Sequence, residues 1–168
     1  MPQIFLRSTN NDRIDTSKIG RREKAVLFFF PAAGRPGVPD PGGWSLIPGA
    51  RGCTPQLCNY REATSEFQKL GVKIFGVSSQ RHEDQVEIAE RNRLQYELLS
   101  DDELSLTKAL DLPTFRVQSP VGLVPPVCIK RLSLVVSSGQ IEKIFYPVFP
   151  SDRSANEALA YLKQPGPG

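Results

Sequence analysis

The chain is predicted to be an α/β protein: a central mixed β-sheet with helices on both faces. Three observations point there. Ala25–Phe30 is apolar at every position, as a central strand covered on both sides must be. A helix-period segment and a second apolar run, Val72–Val77, follow it, the order of a parallel β-α-β unit. Two late runs, Val127–Val136 and Ile141–Phe149, flank Ser137-Ser138-Gly139-Gln140, a hairpin signal that adds an antiparallel edge. With 168 residues and no internal repeat, residues 1–168 are expected to form one domain with a core that needs no cross-links.

Taken in order, Phe5-Leu6 and Arg13-Ile14 form a short hairpin around Asn10-Asn11-Asp12. After the first central strand, the insertion at residues 32–49 is dense in Pro and Gly with a single Trp, so it is expected to hold no regular element. A loop of that length in a compact domain needs a function. A helix is predicted from Pro55 to Leu70, with Thr54 as cap, Pro55 at the first helical position and Gly71 at the exit. Leu57, Tyr60, Thr64, Phe67 and Leu70 form its inward stripe.

A second helix spans His82 to Arg91, with Val86 and Ala89 inward, and Tyr96–Leu99 reads as a short strand. Ser100-Asp101-Asp102 opens a short helix through Ala109, and Pro113–Pro126 reads as irregular. The last helix, Ser151–Leu162, buries Ala155, Ala158, Leu159 and Leu162, and the tail Pro165-Gly166-Pro167-Gly168 is expected to fray.

Composition excludes several classes. Lys and Arg exceed Asp and Glu by 21 to 18, and the excess is spread along the chain, without the dense stripe that nucleic acid binding requires. No apolar run approaches a membrane span, and the polar N-terminus lacks a signal peptide, so a cytoplasmic location is expected. Three cysteines in such a chain leave catalytic, metal-binding or buried roles, rather than a disulfide framework.

Gly52-Cys53-Thr54-Pro55-Gln56-Leu57-Cys58 carries the chemistry. Cys53 lies at the mouth of a helix, where free N–H groups and the helix dipole favour an anionic sulfur. A thiolate attacks one oxygen of a peroxide, leaving a sulfenic acid that a second thiol converts to a disulfide. Cys58 is near in sequence but not in space. Five residues of ideal helix hold the two Cβ atoms roughly 9–10 Å apart, against the ~4.5 Å a disulfide needs, so the first turn must unwind. Such opening costs least at helix ends. The bland alternative makes Cys58 a small buried hydrophobe beside Leu57. The spacing fits neither zinc knuckles nor a Cys-x-x-Cys dithiol, and His82 is the sole histidine.

"VLFFFP", "GCTPQLCNYRE", "LGVKIFGVSSQ", "YELLSDDE" and "RLSLVVSSGQIEKIF" occur in the order in which they stand in the peroxiredoxins, and the chain most resembles their bacterioferritin comigratory protein (peroxiredoxin Q) branch. The resemblance covers nearly the whole chain. It implies a thioredoxin-like fold and a thiol peroxidase in which Cys53 is peroxidatic, Cys58 resolving, and Arg131 orients thiolate and peroxide. Lys130 is the competing match, and neighbouring strand residues cannot both face the site. Thr54 and Gln56 match family positions. The implied partners are hydrogen peroxide or an organic hydroperoxide and, as reductant, a thioredoxin-like protein or small thiol. No metal or organic cofactor is implied, and a monomer or weak homodimer is expected.

The chain also departs from that pattern. Ala50 stands where the family has a peroxide-binding Thr, and Leu46 where it has a shielding Pro. Pro31 is the nearest counterpart of that Pro, and Ser45 a candidate replacement donor. The loop around Trp44 is expected to shape a site for a bulkier hydroperoxide, and Trp44 itself reads either as a hydrophobic plug that pins the loop down or as an exposed patch for a partner protein. The alternatives are a non-peroxidase thiol-disulfide oxidoreductase or redox sensor, and a partner-binding module using residues 32–49. Cys128 reads as core or as an alternative resolving thiol, Arg61 as a solvated or site-lining residue, and His82 as a surface or capping residue.

Overall fold

The computed structural model describes residues 1–117 and 123–165. Strands β1 (Phe5–Ser8) and β2 (Arg13–Asp15) form the expected hairpin, followed by β3 (Ala25–Phe29). Then come α1 (Cys53–Lys69), β4 (Lys73–Ser78), α2 (His82–Arg91), β5 (Glu97–Ser100) and α3 (Ser105–Ala109). Strands β6 (Thr114–Arg116), β7 (Val127–Ile129), β8 (Leu132–Ser137) and β9 (Gln140–Phe145), and helix α4 (Ser154–Leu162), complete the chain.

Seven strands make one sheet in the order β2-β1-β5-β4-β3-β8-β9, while β6 and β7 pair separately. β3, β4 and β5 run parallel, and every other pairing is antiparallel. Alternation along β3 splits the core. Val26, Phe28 and Phe30 pack with Leu57, Tyr60 and Phe67 of α1, Ile88 of α2 and Ala158 of α4. Leu27 and Phe29 face the other side, with Leu106 of α3 and Leu132, Leu134 and Val136 of β8. Burying side chains of this size contributes about 1.5–3 kcal/mol each, so β3 is the main anchor of both layers. The Phe28 ring stacks on Tyr60 at 4.0 Å. It also lies over Gly76, where a Cβ would come within 2.8 Å of the ring and 2.6 Å of Leu98.

Several expectations need correction. Helix α1 begins at Cys53 rather than Pro55, because Gly52, with φ +105°, is its N-cap and Thr54 is already helical. Leu70 leaves the inward stripe and is 41% exposed, since the helix ends at Lys69 and Leu70 belongs to the turn. In α2, Gln85 and Ile88 are the fully buried residues, with Val86 and Ala89 half-buried. Ser100-Asp101-Asp102 does not open the short helix: α3 begins at Ser105 with Leu104 as its N-cap, and Asp101 reaches it only through its side chain, which accepts from the backbone N–H groups of Leu106 and Thr107.

The stretch 113–126 contains β6, which pairs with β7; residues 118–122 lie outside the described residues. Val127–Val136 is two strands, broken at Lys130-Arg131, where the Lys130 N–H donates to Pro113 O at 2.9 Å. The insertion does hold a regular element, a 3-10 turn at Trp44–Leu46. The last helix is also divided, a 3-10 turn at Ser151–Arg153 preceding α4. The expected fraying of the tail concerns residues that, from 166 on, lie outside the described ones. Among the described residues, no helix is long and apolar enough to cross a membrane.

Candidate active site

Cys53 is the first residue of α1 and is buried. Gly52 turns the chain into the helix, a left-handed step that a side chain resists, and the packing there excludes one. A Cβ on Gly52 would lie 2.3 Å from Ser151 Oγ. The Cys53 thiol is 3.8 Å from Ala50 O.

The structure brings Arg131 to this sulfur and leaves Lys130 half-buried outside. The break between β7 and β8 turns Arg131 inward until it is 4% exposed. Its Nη1 donates to Gln56 Oε1 at 2.5 Å. Its Nη2 faces Gly49 O and Arg51 O at 3.0 Å each, Ala50 O at 3.5 Å and Cys53 Sγ at 3.4 Å. Two hydrogens cannot serve four acceptors. The two short carbonyl contacts claim them, and the sulfur mainly feels the positive charge. All these partners are neutral except the sulfur when ionised, and among the described residues no carboxylate forms an ion pair with Arg131. A buried guanidinium without a carboxylate favours an anion beside it.

A pocket of about 210 Å³ opens onto Cys53, with Ala32, Asp40, Trp44, Ala50, Arg51 and Thr54 among its walls. Trp44 is the plug, not an exposed patch. It is buried with Ala32, Ala50, Val117, Val124 and Cys128, and its ring lies 6.0 Å from that of Phe115. Leu46, at the spacing of the family proline, is 84% exposed and shields nothing. Pro31 is buried but does not line the pocket. Ser45 is exposed and also lies outside the lining, so the proposed replacement donor is absent from the site. The hydroxyl that does line the pocket is Thr54, one residue past the cysteine.

Cys58 is half-buried on the same unbroken helix as Cys53, and both are free thiols. The structure therefore places them in one element without bringing them together. Cys128 is buried, its Sγ 3.5 Å from Pro125 O. Burial, and secondarily a negative charge on Cys53, push its thiol up to about 12, which keeps it protonated and non-nucleophilic at neutral pH. Arg61 ties α1 to the end of α2 by donating to Asn92 O at 2.8 Å and does not line the pocket. His82 opens α2, its Nε2 3.2 Å from Asn11 Oδ1, also away from the pocket. Among the described residues, no group of three or more His, Cys, Asp or Glu side chains could hold a metal ion.

Sequence reading missed Asp40 and the pocket role of Thr54, because nothing local to residues 32–55 reveals how the insertion folds back. It also missed Ser154 and Ser133, which with Gln56 and Tyr60 continue the polar contacts of Arg131 into the core.

The Redoxin family matches residues 1–161. The chain is similar to the chloroplastic peroxiredoxin Q of Gentiana triflora, with 22% identity over 162 residues, 96% of this chain and 64% of that protein. It thus spans somewhat less than two thirds of that relative's length. It shares its fold with the crystal structure of peroxidoxin BcpB from Mycobacterium tuberculosis, at TM-score 0.72 and 24% identity over 95% of this chain and 90% of the other. Peroxiredoxin Q of Xanthomonas campestris is similar too, at TM-score 0.70 and 22% identity over 95% and 89%.

Proposed function

The chain belongs to the Redoxin family, in its thioredoxin-fold peroxiredoxin Q branch, and on that premise we propose that it is a thiol peroxidase acting through Cys53. The observation that carries the reading is the buried Arg131 guanidinium, 3.4 Å from Cys53 Sγ and without a carboxylate partner among the described residues. One positive group thus serves a thiolate and the oxygen that gains charge as the peroxide bond breaks.

The chemistry runs in three steps. The Cys53 thiolate attacks the terminal oxygen of a hydroperoxide; the S–O bond forms, the O–O bond breaks, and the departing alkoxide or hydroxide takes a proton to leave as alcohol or water. Sulfur is oxidised and peroxide reduced. The Cys58 thiol then attacks the sulfenic sulfur, an S–S bond replaces the S–O bond, and hydroxide leaves with the thiol proton as water. A thioredoxin-like dithiol or small thiol returns both cysteines to thiols by exchange.

The second step demands that the first turn of α1 unwind, because an intact helix holds the Cβ atoms roughly 9–10 Å apart. Thr54 offers the hydroxyl that Ala50 lacks, from the opposite side of the sulfur along the chain. The Trp44 plug and the pocket of about 210 Å³ leave room for an organic hydroperoxide as well as hydrogen peroxide.

The test is stoichiometric. Reduced protein is mixed with one equivalent of hydrogen peroxide, quenched within a second and read by mass spectrometry, for wild type, Cys53→Ser and Cys58→Ser. The expected products are a Cys53–Cys58 disulfide in wild type, a trapped sulfenic acid on Cys53 in Cys58→Ser, and no rapid oxidation in Cys53→Ser. Slow, unselective oxidation of all three cysteines in wild type overturns the reading.

A further inference from the structure

Three hydroxyls meet in the core beside the site. Tyr60 OH lies 3.3 Å from Ser133 Oγ and 3.1 Å from Ser154 Oγ, and the two serine oxygens are 3.2 Å apart. All three residues are buried. Each hydroxyl has one hydrogen to give, and either oxygen of each contact can be its donor; the arrangement that satisfies all three contacts is a ring in which every member donates once and accepts once. Burial holds the phenol at about 12, so its proton stays in place at neutral pH.

The ring leaves one acceptor position free on Ser154, and Gln56 Nε2 donates to it at 3.2 Å. The other end of the same amide accepts from Arg131. The amide therefore has one usable orientation. Flipped, its NH2 would face the guanidinium and its oxygen would face a serine whose proton the ring already uses.

Resting on the peroxidase reading above, we infer that Ser154 is a positioning residue for the peroxide step: through Gln56 it fixes the orientation of Arg131 over Cys53. Ser154 touches neither the sulfur nor the pocket. It sits at the start of α4, 98 residues from Gln56 in sequence. Its hydroxyl converts the packing of α4 on α1 into a hydrogen-bonded chain that ends at the guanidinium. Without that hydroxyl the amide NH2 is buried without a partner and is free to turn, and Arg131 keeps only its backbone carbonyl contacts.

The experiment is a double-mutant cycle on the second-order rate constant for oxidation of Cys53 by hydrogen peroxide, followed in single turnover. Ser154→Ala is expected to slow this step by roughly 3- to 10-fold, the loss of about one buried hydrogen bond. Ser154→Thr, which keeps the hydroxyl, is expected to restore most of the rate. In a Gln56→Ala background, Ser154→Ala is expected to add nothing further. Asn59→Ala is the packing control: it removes the bonds of Asn59 to Ala155 N and Asn156 Oδ1 on the same α1–α4 seam without touching Gln56. Its melting temperature is expected to fall while its oxidation rate holds.

Equal losses in Ser154→Ala and Asn59→Ala, or full additivity with Gln56→Ala, overturn the inference. Should Ser154→Ala not fold, Ser154→Cys, a weaker acceptor of similar volume, carries the same comparison. A wild type that fails to form the sulfenic acid overturns the peroxidase reading together with this inference, whereas a reactive wild type matched by Ser154→Ala overturns this inference alone.

Discussion

At the scale of single residues, the site is a contest for one guanidinium. Arg131 is held by two backbone carbonyls at 3.0 Å and by Gln56, and it lends its remaining field to Cys53. Replacing it by Gln keeps hydrogen-bonding capacity but removes the charge. We expect Arg131→Gln to lower the rate constant for Cys53 oxidation by about 10²–10³-fold, the scale of losing one donor aimed at a developing anion. Stopped-flow mixing with hydrogen peroxide measures this, and a loss under threefold would show that the helix terminus alone stabilises the charge. The cysteines were legible in the sequence because a thiol at a helix mouth is a local pattern. Arg131 was legible by motif match, but not its setting. That setting depends on a strand break which the apolar run Val127–Val136 hides and which the pairing of β7 with β6 reveals.

At the scale of elements, the mechanism we propose makes two demands on the first turn of α1. It is ordered when Cys53 meets the peroxide, and it opens to let Cys58 reach the oxidised sulfur. Gly52 sets this turn twice, through a left-handed φ of +105° and by leaving to Ser151 the space that a Cβ would take. Gly52→Ala is expected to cost about 2–4 kcal/mol in urea denaturation, combining backbone strain with a close contact. Gly49→Ala, also left-handed but with open space where its Cβ would stand, is expected to cost about 1–2 kcal/mol. Equal costs at the two glycines would show that Ser151 simply moves aside.

The insertion is the second element whose role folding decided. Its proline and glycine content reads as irregular, yet Trp44 finds a buried place against Phe115 and the loop becomes a wall of the pocket. Trp44→Ala is expected to reduce turnover of cumene hydroperoxide at least fivefold more than that of hydrogen peroxide, since van der Waals contact matters to the bulkier substrate. Equal effects on both would reduce Trp44 to a loop anchor.

At the scale of the whole molecule, two layers of core meet at β3 and a third cluster forms around Trp44, and titratable groups buried in them link stability to pH. Burial pushes Cys128 from 9.0, and Tyr60 from 10.0, up to about 12 in each case. Both hold their protons in the folded chain at a pH where the unfolded chain has released them. The unfolded state then binds fewer protons, so stability falls as pH rises. It is fully present below about pH 9 and is lost progressively up to about pH 12, at no more than ~1.4 kcal/mol per pH unit for each group. Urea midpoints at pH 7, 9, 10 and 11 are expected to show this decline, and Cys128→Ala, though less stable throughout, to show a flatter curve between pH 9 and 10. Parallel curves for the two proteins would show that Cys128 does not titrate as argued.

The sequence by itself determined the layered α/β architecture and the chemical class of the site, because strand burial, helix periodicity and a cysteine at a helix start are patterns of neighbouring residues. Only the tertiary structure decided what surrounds that cysteine. It turned Arg131 inward and Lys130 outward, left Ser45 and Leu46 exposed, and brought Thr54, Asp40 and Trp44 to the pocket. It also joined Gln56 to Ser154 across 98 residues. The physical reason is common to all of these. Hydrogen-bond partners and pocket walls are chosen by how loops and helix ends pack in space, and side chains far apart along the chain leave no local signature of where they will meet.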